Sequence, residues 1–272
     1  MPFKLPELEP GTRRVGRYGW KPDLPDQRDF VYEAPHPAGV ALPAHVDLRP
    51  NCPPVYDQGQ LGSCTANSIA GAIEFDLKKE GKPDFTPSRL FIYYNERAIE
   101  HSVATDSGAQ IRDGIKAVAK QGVCSETSWP YDDTNKDPDP CPTCKYAIKP
   151  PKSCYTEAAA HKVSAYQRLI PTLDRLRGCL ASGYPFVFGF TVYSSFESEE
   201  VAKAGIVPMP AQTEQSVGGH AVMAAGYDDA GQQFIVRNSW GPGWGLAGYF
   251  LMPYAYLTNS NLSDDFWTIQ MV

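Results

Sequence analysis

The stretch Gln58-Gly59-Gln60-Leu61-Gly62-Ser63-Cys64-Thr65-Ala66-Asn67 decides how this chain is interpreted. Cys64 follows a glycine-containing loop and begins a pattern in which apolar residues recur at helical spacing, at Ile69, Ile73 and Leu77. Ser63 is a candidate N-cap, which places Cys64 in the first helical turn. Backbone N–H groups and the helix dipole lower the pKa of a thiol at that position. The pattern therefore predicts a reactive thiol at a helix N-terminus.

Three polar residues elsewhere complete a candidate catalytic set. His220 precedes an apolar, strand-like run, and Asn238 follows a second such run. A thiol nucleophile needs a base, and an amide that accepts the imidazole N–H fixes the orientation of the ring. Gln58 can donate an amide N–H to a developing oxyanion beside the backbone N–H of Cys64. We therefore expect these four residues to meet in one site.

Each of these residues also has an ordinary structural explanation. A single cysteine is most often buried and inert, and a histidine before a strand is commonly a satisfied core or surface residue. Asn238 could serve as a turn residue, and Gln58 could be a solvated loop side chain. The ordered combination is much harder to obtain by chance, and it favours the catalytic interpretation.

Further motifs follow in order along the chain. They are Val46-Asp47-Leu48-Arg49, Ser107-Gly108, Trp129-Pro130-Tyr131, Gly219-His220-Ala221, Asn238-Ser239-Trp240-Gly241, Trp244-Gly245 and Gly248-Tyr249. Together with Gly62-Ser63-Cys64, these motifs resemble the papain-like cysteine peptidases over about residues 42 to 272.

The resemblance implies an α+β fold with a helical left half, an antiparallel β-sheet or barrel right half, and an active-site cleft between them. It implies a cysteine-type endopeptidase in which a Cys64 thiolate pairs with a His220 imidazolium. Asn238 would orient the histidine, and Gln58 would contribute to the oxyanion hole. The residues implied to bind substrate are Ser107, Gly108, Ala109, Gly219 and Trp240.

The chain departs from the family pattern on both sides of the nucleophile. Leu61 stands where the family has a cysteine, so the disulfide anchored there cannot form. Thr65 replaces an aromatic residue, and we expect it to leave that side of the cleft smaller and more polar. Neither change removes a catalytic group.

The order of predicted elements agrees with an α+β fold. We expect helices at about 64–80, 87–99, 109–120 and 172–181, and strands at 185–196, 220–227, 232–237 and 249–252. Helices therefore come first and strands later. A peptidase domain at 42–272 would divide into a mainly helical half at about 42–170 and a mainly β half at about 171–272.

Composition limits the other classes of function. The 272 residues include 42% hydrophobic residues, enough for a substantial core, and the net charge of −6 disfavours binding to a nucleic-acid backbone. There is no apolar run of 18 residues and no signal-peptide core at Met1–Pro6. We expect a monomer without a cofactor or a membrane span, either cytoplasmic or secreted after loss of a leader.

Residues 1–41 form a proline- and charge-rich arm with one apolar patch, Tyr18–Pro25. The simpler interpretation is an extended segment packed on the surface. Its alternative is a short pro-like segment that lies in or near the cleft and restricts access. Family pro-segments are longer and helical, and this arm has no helical periodicity.

The cysteines other than Cys64 leave two questions open. Six could form disulfides, but their pairing cannot be read from the sequence. They are Cys52, Cys124, Cys141, Cys144, Cys154 and Cys179. Cys141-x-x-Cys144, with Cys124 and Cys154, could alternatively bind zinc through four thiolates. No second Cys-x-x-Cys pair accompanies it, so we expect no metal site.

Two alternative functions share the same site. One is acyl transfer by the same thiol, and the other is a catalytically silent papain-like binding protein. The main substrate pocket is expected to contain Gly219 with Tyr256 or Leu257 and to accept an apolar side chain. No acidic residue is clearly placed to favour arginine or lysine.

Overall fold

A computed structural model describes residues 18–33, 41–134 and 139–271 of the chain. The first part of the chain is mainly helical. Its helices are α1 (Cys64–Lys79), α2 (Arg89–Ile99), α3 (Ile111–Gln121) and α4 (Lys152–Ala158). The predicted first helix is confirmed closely, while the second and third begin two residues later than expected. Residues 109–110, which were predicted to be helical, form a short strand instead.

The strands assemble mainly into one antiparallel sheet of seven. Its members are β2 (His45–Asp47), β4 (Ala165–Arg168), β5 (Phe186–Tyr193), β6 (Ser216–Asp228), β7 (Gln233–Arg237), β8 (Tyr249–Pro253) and β9 (Ser263–Gln270). The strand order is β4-β9-β5-β6-β7-β8, and β2 pairs with β6. Shorter helices α5 (Leu173–Ala181), α6 (Glu199–Ala204) and α7 (Tyr254–Leu257) connect these strands. The α+β architecture is therefore confirmed.

The protein has two hydrophobic cores, one on each face of the sheet, and β6 contributes to both. It does so because successive side chains of a strand point to opposite faces. Ala221 and Met223 pack in the core that the helices share with the sheet. Val222 and Ala224 pack in the second core, which is rich in phenylalanine. The run after His220 is consequently apolar at every position, as the sequence suggested. Its N-terminal end brings His220 to the boundary between the halves.

A separate two-stranded sheet ties the N-terminal arm to the helical half. β1 (Trp20–Lys21) pairs in parallel with β3 (Ala109–Gln110). The rest of the predicted arm, residues 1–17 and 34–40, lies outside the described residues. None of the helices in the described ranges has both the length and the apolar composition needed to cross a bilayer.

Candidate active site

The candidate nucleophile begins the central helix. Cys64 is the first residue of α1, and Ser63 is its N-cap, as the sequence indicated. Ser63 does not cap the helix with its side chain, because its hydroxyl lies 2.5 Å from the Tyr131 hydroxyl. The backbone N–H groups of the first turn of α1 therefore receive no hydrogen bond from the Ser63 side chain, and they are the polar groups of the helix near the thiol.

The candidate base and its orienting amide lie in the sheet half. Asn238 directly follows β7, and its Oδ1 lies 2.9 Å from His220 Nε2. The Ser239 backbone N–H donates to the same Oδ1 at 2.8 Å and fixes the amide. His220 Nδ1 is buried and has no hydrogen-bond partner among the described residues, so it is the nitrogen left for a reacting thiol. The Trp240 ring lies 5.1 Å from the imidazole and shields the pair from water.

Gln58 lies buried at the same boundary. Its amide Nε2 donates to the Leu61 carbonyl at 2.9 Å, and its Oε1 accepts from the Ser239 hydroxyl at 2.6 Å. A side-chain amide has two N–H groups, so one remains beyond the bond to Leu61. The structure thus brings Gln58 and the Asn238 segment together through Ser239.

Burial favours the neutral forms of the thiol and the imidazole. Burial raises the pKa of the Cys64 thiol to about 12, against the opposing effect of the nearby Ala221 and Gly19 backbone amides. Burial also lowers the pKa of His220 to about 4, although its bond to Asn238 acts in the other direction. A charged thiolate–imidazolium pair is disfavoured here because water is excluded from both groups.

The N-terminal arm is what covers the thiol. The Gly19 backbone lies against Cys64, and its carbonyl accepts from Ala109 N at 2.7 Å. A Cβ atom at Gly19 would lie 1.7 Å from the Gly62 carbonyl oxygen. A Cβ at Gly108, whose φ is +68°, would lie 2.1 Å from the Gly19 carbonyl. Only glycine fits either side of this backbone contact.

The residues flanking Gly19 occupy opposite sides of the thiol. The Tyr18 ring lies 5.9 Å from His220 and 6.4 Å from Trp240. The Trp20 ring instead enters a pocket on the other side, where Gly219 contacts it. Of the predicted substrate-binding residues, Gly108, Ala109, Gly219 and Trp240 therefore surround the arm. The Ser107 hydroxyl is turned toward Ser102 Oγ, at 3.0 Å.

Two expectations about the cleft are wrong. Thr65 does not line it, because one step along a helix turns the side chain by about 100°. The residue is fully buried, and its hydroxyl donates to Glu96 Oε1 at 2.6 Å within the helical half. The pocket beside the thiol also contains an acid: Trp20 Nε1 donates to Asp265 Oδ2 at 3.0 Å.

Asp265 was missed because no strand was predicted after residue 252. The segment Ser263–Gln270 forms β9, and only its last four residues, from Trp267 to Gln270, alternate apolar and polar side chains, which is a short signal. An acid inside such a segment could have been flagged as a buried polar group. Nothing in the local pattern placed it near Cys64, since that contact depends on how β9 pairs with β5.

Cys141 and Cys144 form a disulfide, with Cα atoms 5.3 Å apart. The zinc alternative required both as thiolates, and this bond contradicts it. Cys124 and Cys154 are buried free thiols, as are Cys64 and Cys179, and Cys52 is a partly buried one. Leu61, at the position of the missing family cysteine, is fully buried in the core.

Comparisons with known proteins identify the family of this chain. Residues 42–266 match the family described as papain family cysteine protease. An uncharacterized peptidase C1-like protein of Acanthamoeba polyphaga mimivirus is 50% identical, over 96% of this chain and 89% of its own. The crystal structure of xylellain, a cysteine protease from Xylella fastidiosa, is 48% identical with a TM-score of 0.89, over 96% of this chain and 98% of that one.

More distant structures share the fold. The proCathepsin B S9 structure from Trypanosoma congolense is 18% identical with a TM-score of 0.71, and the match covers 94% of this chain and 87% of that chain. Family membership rests on the family match and on the two relatives near 50% identity. The chain belongs to the papain family of cysteine proteases.

Proposed function

We propose that this protein hydrolyses peptide bonds as an endopeptidase, with Cys64 as nucleophile and His220 as its base. The observation that carries the proposal is that a thiol at a helix N-terminus lies beside the backbone amide of Ala221, directly after a histidine held by Asn238 at 2.9 Å. The Cys64 thiolate would attack the carbonyl carbon, and protonated His220 would then give its proton to the leaving amine. A water molecule deprotonated by neutral His220 would hydrolyse the thioester.

Gln58 and the Cys64 backbone N–H would stabilise the oxyanion. The support is that the Gln58 amide is buried and held at both ends, by Leu61 and Ser239. A donor fixed before the reaction stabilises developing charge without reorganising. Retention of this complete set favours an enzyme over a silent binding protein.

We further propose that the arm holds the enzyme latent. Tyr18 lies beside His220, on the side where the leaving amine must be protonated, and Trp20 lies on the opposite, acyl side. A substrate chain runs from the acyl side to the side of the leaving amine. The arm runs from Tyr18 on the leaving-amine side to Trp20 on the acyl side, so its direction is reversed. Its peptide bond at Gly19 is therefore presented in the wrong sense for cleavage. Burial in this closed arrangement also favours the uncharged forms of the thiol and the imidazole.

A glycine substitution tests both proposals in the full-length chain. Gly19→Ala should displace the arm, because its Cβ would lie 1.7 Å from a backbone oxygen. Gly243→Ala is the matched control, since no atom lies within 4 Å of a Cβ at that position. Hydrolysis of a fluorogenic peptide should rise in Gly19→Ala and stay at the parent rate in Gly243→Ala. Equal rates in all three proteins would contradict latency.

Adding Cys64→Ala to the Gly19→Ala chain tests the nucleophile. Hydrolysis should fall by several orders of magnitude, because the substitution removes the thiol that would form the acyl-enzyme. Residual activity above about 1% would exclude Cys64 as the nucleophile. Adding an amine acceptor to the assay separates hydrolysis from acyl transfer, which would yield a peptide joined to the acceptor.

A further inference from the structure

The peptide bond between Leu61 and Gly62 lies just before the candidate nucleophile, and both of its polar groups are held by side chains. The Leu61 carbonyl oxygen accepts from Gln58 Nε2 at 2.9 Å. The Gly62 N–H donates to both carboxyl oxygens of Asp106, each at 3.1 Å. In a trans peptide the C=O and N–H groups point in opposite directions within one plane. The direction of the Gly62 N–H therefore sets the direction of the carbonyl that holds Gln58.

Asp106 is itself fixed by hydrogen bonds on several sides. It is buried, and the Tyr93 hydroxyl donates to its Oδ1. Its backbone N–H donates to Asp139 Oδ1 at 3.3 Å, and the buried Arg97 donates to the carbonyl of the preceding residue, Thr105, at 2.7 Å. Burial and the Asp106 charge raise the pKa of Tyr93 well above its usual value, so the phenol keeps its proton and remains a donor. The carboxyl group therefore reaches the peptide bond from a segment that is held in place.

The backbone at this peptide bond depends on these hydrogen bonds for its orientation. Helix α1 begins only at Cys64, so the bond lies outside the helix. Gly62 has no side chain to restrict rotation, and glycine adopts positive and negative φ at little cost. Leu61 has no thiol that could tie the loop covalently. Without the Asp106 carboxyl group, the peptide plane would therefore rotate easily and turn the carbonyl away from Gln58.

We infer, on the basis of the proposed function, that Asp106 is a positioning residue for the oxyanion hole, because it holds the peptide plane that anchors the Gln58 amide. The bond to Leu61 uses one N–H of that amide and directs the other. The Ser239 hydroxyl donates to Gln58 Oε1 at 2.6 Å, and this bond alone would let the amide pivot. An amide that must be ordered during the reaction stabilises an oxyanion less than one fixed beforehand.

A double-mutant cycle in full-length Gly19→Ala tests whether Asp106 acts through Gln58. Gln58→Ala alone should lower kcat about 100-fold to 1,000-fold, the usual cost of losing one oxyanion donor. Asp106→Ala alone should lower kcat by about tenfold or more, because a hydrogen bond to a charged group is lost. Adding Asp106→Ala to Gln58→Ala should cost less than about twofold further, since the donor is already absent. Losses that multiply in the double variant would overturn this role for Asp106.

Two further variants separate positioning from a loss of stability. Asp106→Asn keeps a carbonyl oxygen that can accept from the Gly62 N–H, so it should lower kcat clearly less than Asp106→Ala. Asp76 is the matched control: it is buried near the other end of α1, and its Oδ2 accepts from the Met271 backbone N–H. Asp76→Ala should lower the free energy of unfolding and leave kcat of the folded enzyme within about twofold of its parent. Equal losses of kcat in Asp76→Ala and Asp106→Ala would contradict positioning.

A measurement without catalysis distinguishes this inference from the proposed function. The Gln58 side-chain amide protons, observed by NMR in the parent chain, should exchange with D2O about tenfold faster or more after Asp106→Ala. An unchanged exchange rate would overturn the inference even if the protein is a peptidase. If Gly19→Ala cleaves no peptide although iodoacetamide alkylates Cys64, the peptidase proposal fails, and the exchange rate still decides whether Asp106 holds the amide.

Tyr93→Phe provides a milder test in case Asp106→Ala prevents folding. It removes only the hydroxyl that fixes Asp106 Oδ1 and leaves the carboxyl group in place. The same hydroxyl accepts from Gly108 N at 3.1 Å, so KM should also rise, and kcat is the informative quantity. In Gly19→Ala, Tyr93→Phe should lower kcat severalfold, and this loss should disappear once Gln58→Ala is present. A loss of the same size in both backgrounds would contradict the inference.

Discussion

At the scale of single residues, the state of the site depends on how two side chains are solvated. His220 uses Nε2 for Asn238 and leaves Nδ1 unpartnered within the described residues. Cys64 is completely buried beneath Gly19. Among the described residues, the Glu96 carboxyl acts on the Cys64 pKa through its charge, and burial raises the pKa of Glu96 itself well above its usual value. The pKa values of the thiol and the imidazole should therefore shift when the arm leaves and water enters the site.

The pH dependence of thiol alkylation should differ between closed and open chains. With the arm docked, burial raises the Cys64 pKa to about 12, so the reactive thiolate is scarce near neutral pH. In Gly19→Ala the inflection in the rate of iodoacetamide alkylation should move to lower pH. Mass spectrometry of the peptide containing Cys64 measures that rate, and the Cys64→Ala chain reports the background from the other thiols. An unchanged inflection would show that the arm does not set the thiol pKa.

At the scale of elements, α1 positions the nucleophile because it is buried on nearly every side. Fourteen of its 16 residues are buried, from Cys64 to Leu77. Such a helix cannot shift without disturbing both the helical half and the sheet. The neighbouring α3 ends at Gly122, whose backbone N–H donates to the Val118 carbonyl at 2.8 Å. The glycines that follow α1 and α3 allow the energetic cost of packing at a helix end to be compared.

Gly122→Ala should destabilise the fold much more than Gly81→Ala. Both glycines follow a helix and have positive φ, at +82° and +62°. Alanine at Gly81 meets no atom within 4 Å, so only backbone strain of about 1 kcal/mol is expected. At Gly122 the added Cβ would lie 1.6 Å from the Ala158 carbonyl oxygen, and the total loss should exceed about 2 kcal/mol. Urea unfolding measures both, and equal losses would mean that the α3–α4 contact readily relaxes.

At the scale of the whole molecule, two carboxyl groups join the arm to the sheet half. Asp23 Oδ1 accepts from Arg112 N at 3.1 Å, its Oδ2 accepts from Trp267 Nε1 at 2.9 Å, and its backbone N–H reaches Asp265. Burial raises the pKa of Asp23 to about 6, opposed by its hydrogen bonds and by the Arg112 charge. The Asp265 pKa is raised to about 7 for the same main reason. Each carboxyl group therefore holds a proton more tightly while the arm is docked.

Docking of the arm should weaken as pH rises. Released Asp23 and Asp265 would each return toward their ordinary pKa of 3.8, whereas released His220 would return toward 6.5. Docking therefore favours protonation at two carboxyl groups and opposes it at one imidazole, so the docked state binds more protons than the open state. Docking is then strongest at about pH 4 and below, and it weakens as pH increases to about 7. The hydrolysis rate of the parent chain divided by that of Gly19→Ala should increase between pH 5 and pH 7.5. The division removes the pH dependence of catalysis itself, and a flat or falling ratio would contradict this coupling.

Periodicity and order were sufficient to predict much of the fold. The apolar spacing after Cys64 predicted α1, and the apolar run after His220 predicted a buried strand, because those patterns follow directly from helix and strand geometry. The family-like order of motifs predicted which chemical groups would meet. By contrast, β9 was missed, because polar and apolar residues alternate only over its last four positions.

The sequence by itself determined the chemical groups of the candidate site, since a thiol, an imidazole and two amides in this order are written in the chain. Only the tertiary structure decided what surrounds them. The direction of Thr65, the seating of Trp20 between Gly189 and Gly219, and the approach of Asp265 all depend on contacts between segments far apart in sequence. Local patterns encode which face of an element is apolar, whereas such contacts depend on strand register and on backbone packing at glycines.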